Sequence, residues 1–145
     1  MQKLIHQLVY RSVFRAARVV SPLQALRDIV TVSSRNNARD GITGYLIFDG
    51  ETFLQILEGA SDAVEATFAR ISRDARHRDP ELLLAGATAE RAFSKWAMNG
   101  YLRREADAQI FARHGVSGAI PDVISGQSVL ALARELAAAQ SPAGS

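Results

Sequence analysis

Two β-type runs joined by Asp49-Gly50 constrain the fold of this chain more than any other feature. The runs cover residues 43–48 and 51–58, and both are rich in aromatic and branched apolar residues. An Asp-Gly pair between such runs is the strongest short-range signal for a β-hairpin. The chain therefore contains an antiparallel pair of strands, to which its other elements must add.

A two-residue turn also predicts the register of this hairpin. It sets three pairs of residues opposite each other, namely Phe48 with Glu51, Leu46 with Phe53, and Gly44 with Gln55. One face of the hairpin then carries the amide of Gln55 among apolar side chains. Because an unpartnered buried amide is costly, we expect Gln55 to meet either a ligand or a structural hydrogen bond from the backbone.

The remaining pattern predicts three more strands and two main helices. The strands are expected over residues 3–11, 82–88 and 96–102. The element order is then β-α-β-β-α-β-β, which corresponds to an α+β fold, a ferredoxin-like sandwich with one added strand. We expect a five-stranded mixed sheet with both main helices on one face.

The first helix has a clear start in the sequence. Ser21 is suited to the N-cap, Pro22 to the first turn, and Gln24 to a capping box that reaches back to Ser21. An apolar stripe follows, and we expect the helix to end near Ser34, before the polar residues 35–37.

The second helix is expected to begin with Ser61 or Asp62 as its cap and to be closed by Asp79-Pro80. Its buried stripe is predicted to comprise Val64, Phe68, Ile71 and Ala75.

C-terminal helices are predicted over residues 105–114, ended by Gly115, and over residues 127–140. We therefore divide the chain into a domain of residues 1–102, a helical extension of residues 103–140 that serves output or oligomerisation, and a disordered tail of residues 141–145.

Composition narrows the classes of function. The chain has no cysteine, which excludes disulfides, thiolate nucleophiles and flavin–cysteine photochemistry, and its three dispersed histidines indicate no metal site. Fifteen of the seventeen basic residues are arginines scattered along the sequence, so we expect no nucleic-acid partner. No apolar run approaches the roughly 20 residues of a membrane span, and the N-terminus does not resemble a signal peptide. We expect a cytoplasmic protein.

Several short motifs, in their order and spacing, resemble those of one family over roughly residues 3–102. The family is that of the BLUF domains, blue-light sensors that use FAD. The resemblance is carried by Leu8-Val9-Tyr10-Arg11-Ser12, Asn36-Asn37, Ile42-Thr43-Gly44, Phe53-x-Gln55-x-Leu57-Glu58-Gly59, Arg73-Asp74-x-Arg76-His77 and Arg91-x-Phe93-x-x-Trp96-x-Met98. The loop of residues 13–20, which carries Arg15 and Arg18, departs from the pattern by its greater length.

The resemblance implies FAD held without a covalent bond, with its ring between the two main helices. It implies that Tyr10 is the electron donor and that Gln55 is the amide whose hydrogen bonds rearrange in light. Trp96 and Met98, expected on one face of the fifth strand, would relay the change.

The same resemblance implies a set of flavin-binding residues. Asn37 would hold the carbonyl and N3 edge of the ring, Ile29 and Ile71 would sandwich it, and other members would lie around the ring or towards the ribityl and phosphate side: Ser12, Asn36, Arg70, Asp74, Arg76 and His77.

Each of these residues has an ordinary structural explanation as well. A tyrosine such as Tyr10 is usually a packed strand aromatic, and Asn36 and Asn37 are typical of caps and turns. Arginines late in a helix favour its negative end, and Trp96 and Met98 are common core residues.

The sequence favours a signalling protein without catalytic turnover. No segment after residue 102 is long enough for an enzymatic output domain, so we expect a separate effector protein and a homo-oligomer. The alternatives are a flavin-dependent reductase, a phosphate-handling hydrolase of ferredoxin-like fold, and a colourless regulatory module that binds a small ligand between the same helices.

Overall fold

The computed structural model describes residues 4–15 and 21–140. Its elements, in chain order, are β1 (Ile5–Phe14), α1 (Pro22–Asp40), β2 (Thr43–Phe48), β3 (Thr52–Gly59), α2 (Ser61–Ser72), β4 (His77–Thr88), β5 (Asn99–Leu102), a 3-10 helix (Glu105–Asp107), α3 (Ala108–Arg113) and α4 (Gly126–Gln140). The predicted strand start at residue 3, most of the 13–20 loop including Arg18, and the predicted tail lie outside the described residues.

The five strands form one mixed sheet in the order β4-β1-β3-β2-β5. Neighbouring strands are antiparallel except for β2 and β5, which are parallel. Helices α1 and α2 pack on one face, here called the helix face, whereas α3 and α4 cover the opposite face. The predicted ferredoxin-like α+β fold with one added strand is confirmed.

The predicted register of the hairpin was wrong by two residues, because its turn is longer than Asp49-Gly50. Phe48 lies opposite Phe53, Leu46 opposite Gln55, and Gly44 opposite Leu57. The carboxylate of Asp49 accepts hydrogen bonds from the backbone N–H groups of Glu51 and Thr52, at 2.9 and 2.7 Å, and so stabilises the wider turn. A shift of two residues leaves each side chain on its predicted face.

Helix α1 starts as predicted but ends six residues later than expected. The Ser21 hydroxyl accepts a hydrogen bond from the backbone N–H of Gln24 at 3.1 Å, whereas the Gln24 side chain donates to Asp28 instead of reaching back. The helix stops at Gly41, whose φ of 70° is left-handed and favours glycine. Asn36 and Asn37 are therefore helical residues, not residues of a following turn.

Helix α2 and strand β4 also differ from their predicted bounds. Ala60 occupies the N-cap, and the Asp62 carboxylate instead accepts from the backbone N–H of Ala63 within the first turn. The helix ends at Ser72, so Ala75 is outside it and exposed. Asp79-Pro80 does not close the helix but lies inside β4, where a shift in the pairing with β1 accommodates the positive φ of Asp79.

Strand β5 begins at Asn99, so Trp96 and Met98 precede it and do not lie on it as predicted. Hydrogen bonds to other elements keep this segment from pairing as a regular strand. The backbone N–H of Gly44 donates to the carbonyl of Trp96 at 3.2 Å, and the side-chain amide of Asn37 donates to the carbonyl of Ala97.

The C-terminal elements follow the predicted pattern closely. A 3-10 turn and α3 occupy most of residues 105–114, the span predicted as one helix. Helix α3 ends before Gly115, whose φ of 85° is left-handed. Helix α4 matches the predicted helix to within one residue at its start. Across the described residues, no helix has the length and apolar character required to span a membrane.

Gly44 is required by the close approach of β2 to β3. A Cβ at this position would lie 2.1 Å from the carbonyl oxygen of Ile56 and 3.0 Å from the Met98 side chain. We predict that Gly44→Ala lowers the free energy of unfolding by about 1–3 kcal/mol, the range typical of an overpacked core. Urea unfolding measures the change.

Gly118→Ala is the control, since a Cβ at Gly118 would meet no atom within 4 Å. A Gly44→Ala protein as stable as this control would contradict the steric explanation.

Candidate functional site

Three buried side chains, Tyr10, Gln55 and Met98, form a chain of contacts on the helix face. Tyr10 of β1 lies directly opposite Gln55 of β3, because the two strands pair in antiparallel register. The Tyr10 hydroxyl donates a hydrogen bond to Oε1 of Gln55. Nε2 of Gln55 in turn donates to the sulfur of Met98 at 3.4 Å. The amide therefore has a phenol at one end and a thioether, a weak acceptor, at the other.

Burial widens the pH range over which Tyr10 stays protonated. Its side chain is fully enclosed, and this desolvation, followed by the negative charge of Asp74, raises the pKa of Tyr10 far above its ordinary value. The phenol is therefore protonated at neutral pH, and its proton points at the amide oxygen of Gln55.

A cleft of about 130 Å³ between α1 and α2 opens above Gln55. Nine of the predicted site residues line it: Ile29, Asn36, Asn37, Gln55, Arg70, Ile71, Asp74, Arg76 and His77. Four further residues were missed by the sequence reasoning: Val32, Ser33, Leu57 and Thr67. Three of them follow from helical spacing or strand alternation, because Val32 and Ser33 lie one turn from Ile29 and Asn36, and Leu57 shares the face of Gln55.

Asn37 joins α1 to the segment that precedes β5. Its side chain is buried, and its Nδ2 donates to the backbone carbonyl of Ala97 at 2.8 Å. One turn earlier, the Ser34 hydroxyl donates to the carbonyl of Met98 at 3.3 Å. The wall of the cleft and the backbone around Met98 are thus directly connected.

The rim of the cleft beyond α2 is charged. Arg76 and Asp74 form an ion pair at 2.7 Å, and this hydrogen bonding lowers the pKa of Asp74 below its usual range. Arg70 is exposed beside them. Ser12 does not line the cleft; its hydroxyl lies 2.8 Å from Nδ1 of His77, through which it reaches the site.

Trp96 lies on the opposite face of the sheet from Met98. It packs against the core beneath α4, where its ring is 6.1 Å from that of Tyr45. Met98 belongs to the core beneath α1 and α2. The prediction that the two residues share one face was wrong, because the irregular backbone before β5 does not follow strand alternation.

Comparison with known proteins decides the family. The model of a family described as "BLUF: Sensors of blue-light using FAD" matches residues 5–99. The chain belongs to the BLUF family. It is 32% identical over 95 residues to the blue light- and temperature-regulated antirepressor BluF of Escherichia coli strain K12, a match that covers 66% of this chain and 23% of that protein. The chain thus spans under a quarter of the length of this curated relative.

Solved BLUF structures share the fold over nearly the whole chain. The photo-activated state of BlsA superposes with a TM-score of 0.79 at 30% identity, covering 91% of this chain and 94% of that one. The dark state of BlrB, a BLUF protein, superposes with a TM-score of 0.75 at 30% identity, covering 96% and 99%. This similarity therefore includes the C-terminal helices as well as the sheet.

The residues of this cleft fit the flavin that BLUF domains use. Apolar side chains from both helices suit the flat faces of an aromatic ring, and the amides of Asn36, Asn37 and Gln55 suit its polar edge. The cations at the rim, Arg70 and Arg76, suit phosphate.

His77 gives the site a pH dependence. Burial, together with the nearby Arg76, lowers the pKa of His77 to about 4, although Asp74 opposes the shift. The unfolded chain then binds more protons than the folded one between about pH 6.5 and pH 4. We predict that the flavin-free protein loses stability as the pH falls through this window, as measured by urea unfolding.

The matched variant for this prediction is His77→Gln, which cannot titrate and should show a smaller loss over the same window. A ring titration by NMR with a midpoint near 6.5 in the folded protein would contradict the prediction.

Proposed function

We propose that this chain is a blue-light sensor that binds FAD without a covalent bond in the cleft between α1 and α2. The observation that carries the proposal is the buried contact from Tyr10 to Gln55 at the floor of that cleft. It supplies a protonated phenol and a two-ended amide at the place where the polar edge of a flavin would lie.

The bound flavin supplies a chromophore that becomes a strong oxidant when it absorbs blue light. Tyr10 is suited to give an electron, because its hydroxyl proton already has an acceptor in Oε1 of Gln55 and can leave with the electron. Coupled loss of electron and proton avoids a charged tyrosine in a site where burial strongly disfavours charge.

Gln55 is the residue whose hydrogen bonds rearrange. Rotation or tautomerisation of its amide exchanges the donor and acceptor ends without changing the charge of the site. In the present arrangement Nε2 donates to the Met98 sulfur, which is a weak acceptor, so little is lost when that contact breaks. Each exchanged hydrogen bond contributes on the order of 1 kcal/mol.

The cofactor would be held mainly by residues that already line the cleft. Asn36 and Asn37 would bind the polar edge, Ile29 and Ile71 the ring faces, and Arg70, Arg76 and His77 the phosphate side with the help of Asp74 and Ser12. Chromatography of the flavin released from purified protein distinguishes FAD from FMN, and FMN alone would contradict this part of the proposal.

The output would pass from Met98 to the helical extension of residues 103–140. The segment that carries Met98 also carries Trp96, which contacts Tyr45 on the opposite face, and the Tyr45 hydroxyl donates to Gln140 at the end of α4. The coupling free energy between two such sites is typically about 1–3 kcal/mol. The contacts of α4 that receive the change must therefore be nearly balanced between two arrangements. The signal would reach a separate effector protein, with the chain acting as a homo-oligomer and without catalytic turnover.

Absorption spectra before and after blue light test the photochemistry. We predict a yellow protein with a small, reversible shift of its flavin band to longer wavelength. Tyr10→Phe and Gln55→Leu should each abolish the normal shift while flavin still binds, because each removes one side of the hydrogen bond.

Tyr45→Phe is the matched control, since Tyr45 is also a buried tyrosine but lies on the opposite face of the sheet. It should keep the shift. A normal shift in Tyr10→Phe would contradict the mechanism, and flavin reduction by NADH would favour a reductase instead.

Variants of Met98 and Trp96 separate the two ends of the relay. We predict that Met98→Ala alters the lifetime of the light-induced state, because it removes the partner of Gln55 Nε2. Trp96→Phe should leave the spectral shift intact but weaken the light-dependent change in α4, measured by hydrogen exchange of residues 126–140. If Met98→Ala changes neither the lifetime nor the exchange, the relay is wrong.

A further inference from the structure

The outer edge of β4 has the properties of a binding surface. β4 is one of the two edge strands of the sheet and, at twelve residues, it is long. In the portions of the chain that the structure describes, the backbone from Arg78 to Thr88 pairs with β1 on one side and with no segment on the other. Such an edge presents a row of N–H and C=O groups that can pair with another chain.

The second half of this edge, residues 82–89, lacks the features that prevent pairing, whereas the first half carries Arg78, Asp79, Pro80 and Glu81. Residues 82–89 contain neither a charge nor a proline, and Ala85, Gly86 and Ala87 are exposed. The opposite edge strand, β5, has only four residues and is followed directly by Arg103 and Arg104. Short strands and flanking charges discourage edge pairing, so β4 is the edge suited to it.

Two exposed leucines lie at the two ends of this segment. Leu82 is 51% exposed, and Leu4, which precedes β1, is 61% exposed. Because Tyr10 pairs with Leu82 and Ile5 pairs with Thr88, the two leucines are at opposite ends of the 82–88 segment. Alternation along β1 places Leu4 on the same face as Leu8 and Tyr10, which is the helix face. Leu82, opposite Tyr10, is on that face as well.

We propose that two copies of this chain pair through the outer edges of their β4 strands, antiparallel and centred on Gly86. The pairing of β4 with β1 is irregular at Leu83 and regular from Leu84 to Thr88, and Gly86 is the middle of that regular segment. A twofold axis there sets Gly86 opposite Gly86 and Ala85 opposite Ala87. Leu82 of one copy then lies opposite Glu90 of the other, while Leu4, which precedes β1, is one strand further from the axis.

This pairing specifies the surface through which the homo-oligomer of the proposed function would form. It does not depend on the photochemistry. The uncharged segment is self-complementary in this register, since Leu83 lies opposite Ala89 and Leu84 opposite Thr88. The small side chains at its centre allow two strands to approach closely. A second copy of the chain is therefore the partner that fits this uncharged segment of the edge.

Gly86→Lys tests the pairing without disturbing the fold. A Cβ at Gly86 would meet no atom within 4 Å, and its φ lies outside the left-handed region. In the proposed pairing the two lysines face each other, and like charges directly opposite are destabilising. By sedimentation velocity, we expect the unaltered protein to have a mass of twice the 15.7 kDa of the chain. The dissociation constant of the variant dimer should be roughly tenfold higher or more.

A charge-swap experiment tests the position of the axis. Gly86→Glu alone should weaken the dimer in the same way as Gly86→Lys. An equimolar mixture of the two variants should restore it, because lysine then faces glutamate. Leu23→Lys is the matched control: Leu23 is 43% exposed but lies on α1, so the dimer should be unchanged.

A monomeric unaltered protein, a dimer unaffected by Gly86→Lys, or a mixture that does not recover would each overturn the proposal. The light-induced spectral shift of the same samples is recorded in parallel. A missing shift in a protein that still dimerises counts against the proposed photosensory function alone, and a normal shift in a monomer counts against the pairing alone.

Discussion

The hydrogen bond from Tyr10 to Gln55 depends on the register of two neighbouring strands, and the rest of the site is arranged around it. The antiparallel pairing of β1 with β3 sets the two residues directly opposite each other on the buried helix face. A slip of one strand by one residue would turn its side chain to the other face and separate the two residues. Because the amide is buried, it must find partners at both ends, and it finds the phenol of Tyr10 and the sulfur of Met98. In the proposed mechanism, one strong and one weak partner would leave the amide free to rearrange.

The segment of residues 91–98 connects the two faces of the sheet. Its start is fixed by the buried carboxylate of Glu58, which accepts from the backbone N–H groups of Ala92 and Phe93 at 2.8 and 2.9 Å. Its end brings Met98 to the helix face, while Trp96 packs on the opposite face. In the proposed relay, a displacement of Met98 would act on a short, anchored segment whose other side chains contact the core beneath α4. The proposed signal would then not have to cross the sheet through the strands themselves.

The errors in the predicted elements are explained by specific hydrogen bonds, most of them to distant partners. Helix α1 continues through two asparagines, which favour turns, because Asn37 donates to Ala97, sixty residues away. The hairpin turn is wider than two residues because the Asp49 carboxylate accepts from two backbone N–H groups. Strand β5 starts late because Gly44 and Asn37 hold the residues before it. For α1 and β5 a hydrogen bond to another element outweighs the local preference, which is a weak determinant on its own; in the hairpin the bonds lie within the turn itself.

The order of the elements, the faces of the hairpin and the family motifs are determined by the sequence itself, because periodicity and motif spacing are properties of the chain alone. These were sufficient to identify Gln55 as a buried amide and to select most residues of the cleft. Which partners that amide meets was decided only by the tertiary structure. Tyr10 is 45 residues from Gln55 in the chain, and Met98 is 43 residues beyond it. Met98 and Trp96 lie on opposite faces because the backbone between them is irregular. Tertiary contacts, and not periodicity, hold that backbone in place.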